Sequence, residues 1–101
     1  MSHSEDRALE AIKHEAAQFI LREAGTESLI TVTRAKSIGK GERVAVFVSV
    51  FPEEMAHSAL TFLERQREAF SDHLKKHVHM RIPRVDFLLE NNEDMGEAPK
   101  I

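Results

Sequence analysis

The stretch LKKHVHMRIPRVDF, from Leu74 to Phe87, decides how this chain folds because a helix ends and a strand begins within it. Phe70, Leu74 and Val78 recur at helical spacing, which predicts a helix that enters the stretch. Pro83 cannot lie inside a helix, because it lacks the backbone N–H that helical hydrogen bonding requires. After Pro83 apolar and charged residues alternate, which predicts a strand over about residues 84–89.

The chain before this stretch predicts one helix and one β-hairpin. Apolar residues recur with a period near 3.6 over about residues 5–24, with Ser4 as a candidate N-cap and Gly25 as a C-terminal stop. Residues 28–38 and 43–51 are rich in β-branched side chains and are separated by a short glycine-containing segment. That pattern is typical of two antiparallel strands joined by a tight turn.

A pair of helices is predicted between the hairpin and the last strand. A helix start is predicted at Pro52, Glu53 and Glu54. The N–H that proline lacks would have no partner in the first turn of a helix, and the acidic groups are stabilised by the positive end of the helix dipole. The apolar pattern shifts near residues 66–68, which predicts a bend between two helical segments. The predicted fold is therefore α+β in the order α-β-β-α-α-β, a three-stranded sheet with helices packed on one face. We expect one domain over residues 1–90 and a flexible acidic tail over residues 91–101.

Composition limits the classes of function. The chain has 101 residues, a formal net charge of -3 and no cysteine. The length suits a single domain, and the lack of cysteine excludes disulfides, thiolate metal sites and a cysteine nucleophile. No apolar run approaches the length of a membrane helix. We therefore expect a soluble cytoplasmic protein that does not bind a membrane.

Positive charge is concentrated in the middle of the chain. Residues 29–87 hold ten Lys or Arg against seven Asp or Glu, whereas the segments on either side are each acidic by three. A basic segment of this kind is compatible with nucleic-acid binding, but it is equally compatible with an ordinary mixed-charge surface. The charge pattern alone leaves both interpretations open.

The element order and several short motifs together resemble a known family. The order is that of type II K-homology domains. The hairpin reads Ile30-Thr31-Val32-Thr33 and then Val44-Ala45-Val46-Phe47-Val48-Ser49-Val50, and a basic apolar run ends at Pro83, before the strand with Val85 and Phe87 and the turn Glu90-Asn91-Asn92. In this order and spacing the motifs resemble ribosome-binding factor A, a bacterial assembly factor of the small ribosomal subunit. The resemblance covers nearly the whole chain.

The resemblance implies a function that the residue patterns do not give by themselves. It implies a non-enzymatic cytoplasmic factor that binds the immature small (30S) ribosomal subunit and its 16S rRNA. Such a factor assists late rRNA maturation, especially in the cold. It would need no cofactor or small-molecule substrate, and we expect a monomer when it is free.

The candidate RNA-binding residues are cations of the paired helices and the last strand, where each side chain could hold a phosphate. The main candidates are Arg65, Arg67, Lys75, Lys76, Arg81 and Arg84. Weaker candidates are Arg34, Lys36, Lys40, His77 and His79. The competing interpretation is a solvated charged face of the helix and strand.

Three other interpretations concern overlapping residues. His73, His77 and His79 could bind a metal, but no Cys, Asp or Glu stands at a characteristic spacing and lysines are adjacent, so we expect surface histidines and no metal site. Phenylalanines could stack on bases, but their apolar stripes favour core packing; they are Phe47, Phe51, Phe70 and Phe87. The sequence contains no nucleophile elbow and no glycine-rich phosphate-binding loop, so we expect no enzymatic activity.

The alternative function is a diverged K-homology scaffold that binds a protein partner through an apolar sheet face or the acidic first helix. Where K-homology domains have Gly-x-x-Gly and ribosome-binding factor A has an Ala-x-Gly kink, this chain has Gln66-Arg67-Glu68. The family's arginine shortly after the kink is replaced by Ser71. These two departures favour the alternative, whereas the basic residues oppose it.

Overall fold

The computed structural model describes residues 3–40 and 42–90. The predicted tail over residues 91–101 lies outside the described residues. The elements follow the predicted order. They are α1 (His3–Glu23), β1 (Leu29–Ile38), β2 (Arg43–Phe51), a 3-10 turn (Glu53–Met55), α2 (Ala56–Arg65), α3 (Arg67–His77) and β3 (Arg84–Leu89).

The three strands form one mixed sheet in the order β1-β2-β3. β1 and β2 pair antiparallel, with a register shift between Val32 and Arg34, and Gly39 adopts a positive φ of 71° in the turn that joins them. β3 pairs in parallel with β2. A parallel pair cannot be closed by a tight turn, so the chain crosses over through α2 and α3 before it returns as β3.

The core lies between the three helices and one face of the sheet. Val44, Val46 and Val48 of β2 are buried in one cluster with side chains from α1, α2, α3 and β3. Phe70 of α3 is fully buried at the centre of this cluster, with its ring centroid 5.3 Å from that of Phe19. The predicted α+β fold with helices on one face of the sheet is confirmed.

The bend between the paired helices is confirmed and lies at Gln66. Its φ of −92° and ψ of 5° are accessible to any residue, so the break between α2 and α3 needs no glycine. The Gln66 N–H donates to the carbonyls of Phe62 and Leu63, and its own carbonyl accepts the N–H of Phe70 at 2.8 Å. These bonds hold the break without the small residues of the Ala-x-Gly kink.

Three helix boundaries differ from the predicted ones. α1 begins at His3, so Ser4 lies within the helix and is not its N-cap. Pro52 precedes a 3-10 turn and its carbonyl accepts the Met55 N–H at 3.0 Å, so α2 begins only at Ala56. At the other end, Val78 is extended, with φ −130° and ψ 147°, and α3 ends at His77. Val78 still packs against the core from this extended conformation. It therefore continued the apolar pattern of α3 in the sequence, and the helix was predicted one residue too long.

We expect the aromatic centre of the core to dominate stability. Phe70→Ala should lower the free energy of unfolding by about 3–5 kcal/mol, because it removes a fully buried ring and leaves a cavity. The matched control is Phe51→Ala, whose side chain is 73% exposed and whose loss should change the free energy by only about 0.5 kcal/mol. Urea unfolding of both variants measures the difference. Equal losses would contradict the assignment of the core to the helical face.

Candidate nucleic-acid interface

Asp86 of β3 gathers three arginines from three different elements. Its Oδ2 lies 2.7 Å from Nη2 of Arg43, and its Oδ1 lies 3.4 Å from Nε of Arg84 and 3.5 Å from Nη1 of Arg67. Hydrogen bonds from Arg43 first, and then from Arg84, hold the pKa of the Asp86 carboxyl below its ordinary value, although partial burial acts in the opposite direction. The cluster keeps an excess of positive charge in a defined orientation.

This cluster unites two predicted site residues with one that sequence reasoning missed. Arg67 and Arg84 were candidates, whereas Arg43 was not. Arg43 is the register partner of Arg84 in the parallel pair. The sequence gives only a weak sign that Arg43 belongs to the site: it begins β2 on the sheet face opposite to the buried valines. Its pairing with Arg84 could not be predicted, because the register of parallel strands cannot be read from spacing along the chain.

Arg34 of β1 is held in a second ion pair. Its guanidinium carbon lies 4.0 Å from the centroid of the Phe47 ring, and its Nε donates to Glu90 Oε1 at 3.0 Å. The Thr33 hydroxyl donates to the same Glu90 oxygen at 2.7 Å. The hydrogen bonds from Arg34 and then Thr33 lower the pKa of Glu90. Arg34 is thus fixed, and its charge is partly neutralised.

The last turn of α3 presents the more available cations. Three residues of this turn are exposed: Lys75, Lys76 and His77. Positive charge is stabilised here by the negative end of the helix dipole. Lys75 Nζ comes only within 3.9 Å of Asp72 Oδ1, and both side chains are largely exposed. Such a pair leaves the lysine free to exchange its partner. Among the described side chains, Lys76 and Arg65 at the end of α2 make no ion pair.

Arg81 and Lys40 meet at a cavity between the tip of the hairpin, α1 and residues 80–83. The cavity has a volume of about 370 Å³ and is lined by both cations, by Glu42 and Ser37, and by apolar side chains that include Leu9 and Met80. The fold therefore brings a main candidate and a weaker candidate to one place. Lys36 and His79 are exposed on β1 and after α3, respectively.

The histidines do not all lie at the surface as predicted. His79 is exposed, but His73 is only 7% exposed, and its Nε2 lies 2.7 Å from Oε1 of Glu15 on α1. The prediction of surface histidines is wrong for His73, because α1 packs across the face of α3 that carries it. His79 also lies beyond the helix end, so it does not share a helical face with His73 and His77.

The prediction that the phenylalanines pack in the core is confirmed for two of the four. Phe70 and Phe87 are buried, whereas Phe47 is half-buried under Arg34 and Phe51 is 73% exposed. The prediction is wrong for Phe51, because it lies on the sheet face away from the helices. Its cross-strand partner Leu29 is also exposed, at 65%, so the two side chains form an apolar end on this open face.

Comparison with known proteins bears on the fold. No family model matches the chain, and no curated protein matches it. Among solved structures, the chain is similar to the crystal structure of ribosome-binding factor A from Thermus thermophilus, with a TM-score of 0.70 and 28% sequence identity. The match covers 83% of this chain and 92% of that chain. This chain has a ribosome-binding factor A-like fold.

The ribosome-binding factor A-like fold confirms the resemblance drawn from the hairpin and the last strand. In this chain the paired helices between the two parallel strands carry four of the six main candidate cations, Arg65, Arg67, Lys75 and Lys76. No helix within residues 3–40 and 42–90 is long and apolar enough to cross a membrane.

We expect Asp86 to contribute stability that depends on pH. Its pKa is lowered in the folded state, so the contribution is present above the unfolded value of about 3.9 and is lost as pH falls through the folded value. Asp86→Asn should therefore cost about 1 kcal/mol or less at pH 7, and this cost should vanish in acid. Urea unfolding of both proteins across pH measures it. The control is Asp72→Asn, whose side chain is 70% exposed and makes only a weak pair, so it should show little pH-dependent loss of stability. A cost of Asp86→Asn that did not change with pH would contradict the ion-pair network.

Proposed function

We propose that this protein binds the immature small (30S) ribosomal subunit through phosphates of 16S rRNA and assists late rRNA maturation in the bacterial cytoplasm. The observation that carries the proposal is the similarity to ribosome-binding factor A, which extends over 83% of this chain with 28% identity. The name of that protein states that it binds ribosomes. In this proposal the chain acts as a monomeric binding factor, not as an enzyme, and it supports maturation especially in the cold.

The exposed cations supply a physical basis for the contact. Lys75 and Lys76 on α3 and Arg81 after it are exposed, so they can reach phosphates without breaking a strong ion pair. Each phosphate that a cation neutralises releases condensed counterions, which favours binding most strongly at low salt. These contacts position the RNA and do not read its sequence.

The Asp86 cluster contributes in a different way. Arg67 and Arg84 are oriented by the carboxylate, so less side-chain freedom is lost when they meet a phosphate. The cost is that Asp86 also repels the phosphate. Arg65 and Arg67 lie at the segment Gln66-Arg67-Glu68, in which Glu68 replaces the glycine that lets a backbone approach RNA closely. We therefore infer that RNA contacts at this break are made by side chains.

The first experiment is co-sedimentation of the purified protein with immature and mature small subunits over a series of salt concentrations. We expect binding to weaken steeply with salt. Lys75→Gln/Lys76→Gln should weaken binding and reduce the slope of log affinity against log salt by about two, one for each lost phosphate contact. Circular dichroism confirms that the variant is folded.

A matched control removes two cations from α1. Lys13→Gln/Arg22→Gln lowers the net charge by the same amount on a helix that we do not place at the RNA. The control should keep the slope of the unaltered protein. Equal effects of the two double variants would indicate a general charge effect and contradict the assigned face, and absence of binding to either subunit would overturn the proposal.

Releasing the arginines tests the Asp86 cluster itself. Asp86→Asn removes the carboxylate that holds Arg43, Arg67 and Arg84, so these cations become free for phosphate. We expect tighter binding to the small subunit and a steeper salt dependence in the same sedimentation assay. An affinity and a salt dependence that are both unchanged in a folded Asp86→Asn protein would show that the cluster is not part of the RNA face.

The apolar end of the open sheet face supports a second candidate function. Phe51 and Leu29 are exposed and are direct cross-strand partners, so together they offer an apolar contact to a protein partner. This candidate is the protein-binding scaffold that the sequence left open. A complex that is insensitive to salt and is lost in Phe51→Ser, but kept in Lys75→Gln/Lys76→Gln, would favour it over RNA binding.

A further inference from the structure

His73 and Glu15 form a polar pair within an otherwise apolar contact between α1 and α3. His73 is more than nine-tenths buried, and its ring lies 5.6 Å from the Phe19 ring and 6.0 Å from the Phe70 ring, measured between centroids. Its Nε2 lies 2.7 Å from Glu15 Oε1, and Nη2 of Arg22 lies 3.5 Å from its Nδ1. Arg22 can only donate, so this arrangement places the His73 proton on Nε2, donated to Glu15.

His77 lies one helical turn further along the same face. Its ring stacks on that of His73, with the centroids 4.0 Å apart and the planes at 23°. Its Nδ1 lies 2.8 Å from the His73 carbonyl oxygen, so Nδ1 carries the proton and donates it. That leaves the lone pair on Nε2, and a backbone hydrogen bond of this kind is how proteins commonly orient a metal-binding imidazole.

The three side chains bring one ligand atom each to a common point. One ligand atom from each of Glu15, His73 and His77 lies within 4.8 Å of the other two. Ligands about 2.0–2.1 Å from a tetrahedral zinc are about 3.3 Å apart, so the exposed His77 side chain has to move closer to Glu15 and His73 to close the site. We propose that Glu15, His73 and His77 bind a divalent transition metal of the zinc class, with water in the remaining position.

The donor set suits this class of ion. Two imidazole nitrogens and one carboxylate oxygen are a common protein set for zinc and are also acceptable to cobalt and nickel, whereas magnesium and calcium prefer oxygen ligands alone. Lys75 opposes cation binding less than its position in the sequence suggests, because helical geometry places it across α3 from His73 and His77. Its nearest carboxylate is Asp72.

Metal binding would replace a proton. The ion takes the place of the Nε2 proton between His73 and Glu15, and the proton moves to Nδ1, because a neutral imidazole that binds a metal through Nε2 carries its proton on Nδ1. Arg22 then has to move away from Nδ1, which is feasible because its side chain is 54% exposed and also pairs with Glu23. The metal would tie α1 to α3 and so stabilise the fold, whether or not the protein binds ribosomes.

The test uses tag-free full-length protein that has been stripped with a chelator and titrated with Zn²⁺ by isothermal calorimetry. We expect one ion per chain, a higher melting temperature with Zn²⁺, and visible absorption bands of tetrahedral Co²⁺ when cobalt is used instead. His77→Ala removes an exposed ligand and should lower the Zn²⁺ affinity by at least about tenfold and remove the cobalt bands. Glu15→Gln should do the same.

The matched control is His79→Ala, because His79 is an exposed histidine outside the cluster. It should bind Zn²⁺ like the unaltered protein. The proposal is overturned if the stripped protein shows no saturable binding. It is equally overturned if binding survives unchanged in the folded His77→Ala/Glu15→Gln double variant, or if His79→Ala weakens binding as much as His77→Ala does.

Discussion

Residues 84–89 pair in parallel with residues 43–48, and this pairing determines where every other element can lie. Two parallel neighbours need a long crossover, which here is the chain between Phe51 and Arg84, with α2 and α3 on one face of the sheet. Phe70 of α3 locks the crossover in place, because its ring packs against Phe87 of β3 and Phe19 of α1. The same crossover carries the main candidate cations, so the element that closes the fold also positions the proposed RNA face.

The acids of the last strand divide the cations into two classes. Asp86 and, just after the strand, Glu90 hold arginines from α3 and from all three strands in fixed orientations. The lysines at the end of α3 and Arg81 after it are exposed and form at most weak ion pairs among the described side chains. The first class maintains a positive field of defined shape, and the second is free to follow a flexible phosphate backbone. The proposed interface combines both.

Features that depend on neighbours along the chain could be predicted from the sequence, whereas contacts that depend on how helices and strands pack against one another could not. The helical period, the alternation of the strands and the shift near Gln66 all reflect local geometry, and the structure confirms these elements. The Asp86 cluster depends on parallel register, and the Glu15–His73 pair depends on which face of α3 meets α1. Alternation in β2 separated two faces but could not tell which face the helices cover, and for that reason Phe51 was misplaced.

The most direct test of the account is amide hydrogen exchange of the protein alone and bound to the immature small subunit. Phosphate contacts by the exposed cations predict slower exchange on binding over residues 74–84, at the end of α3 and the loop after it, with little change in α1. Protection limited to residues 29–31 and 49–51 would instead place the partner on the apolar end of the open sheet face. That result would contradict RNA binding through the crossover.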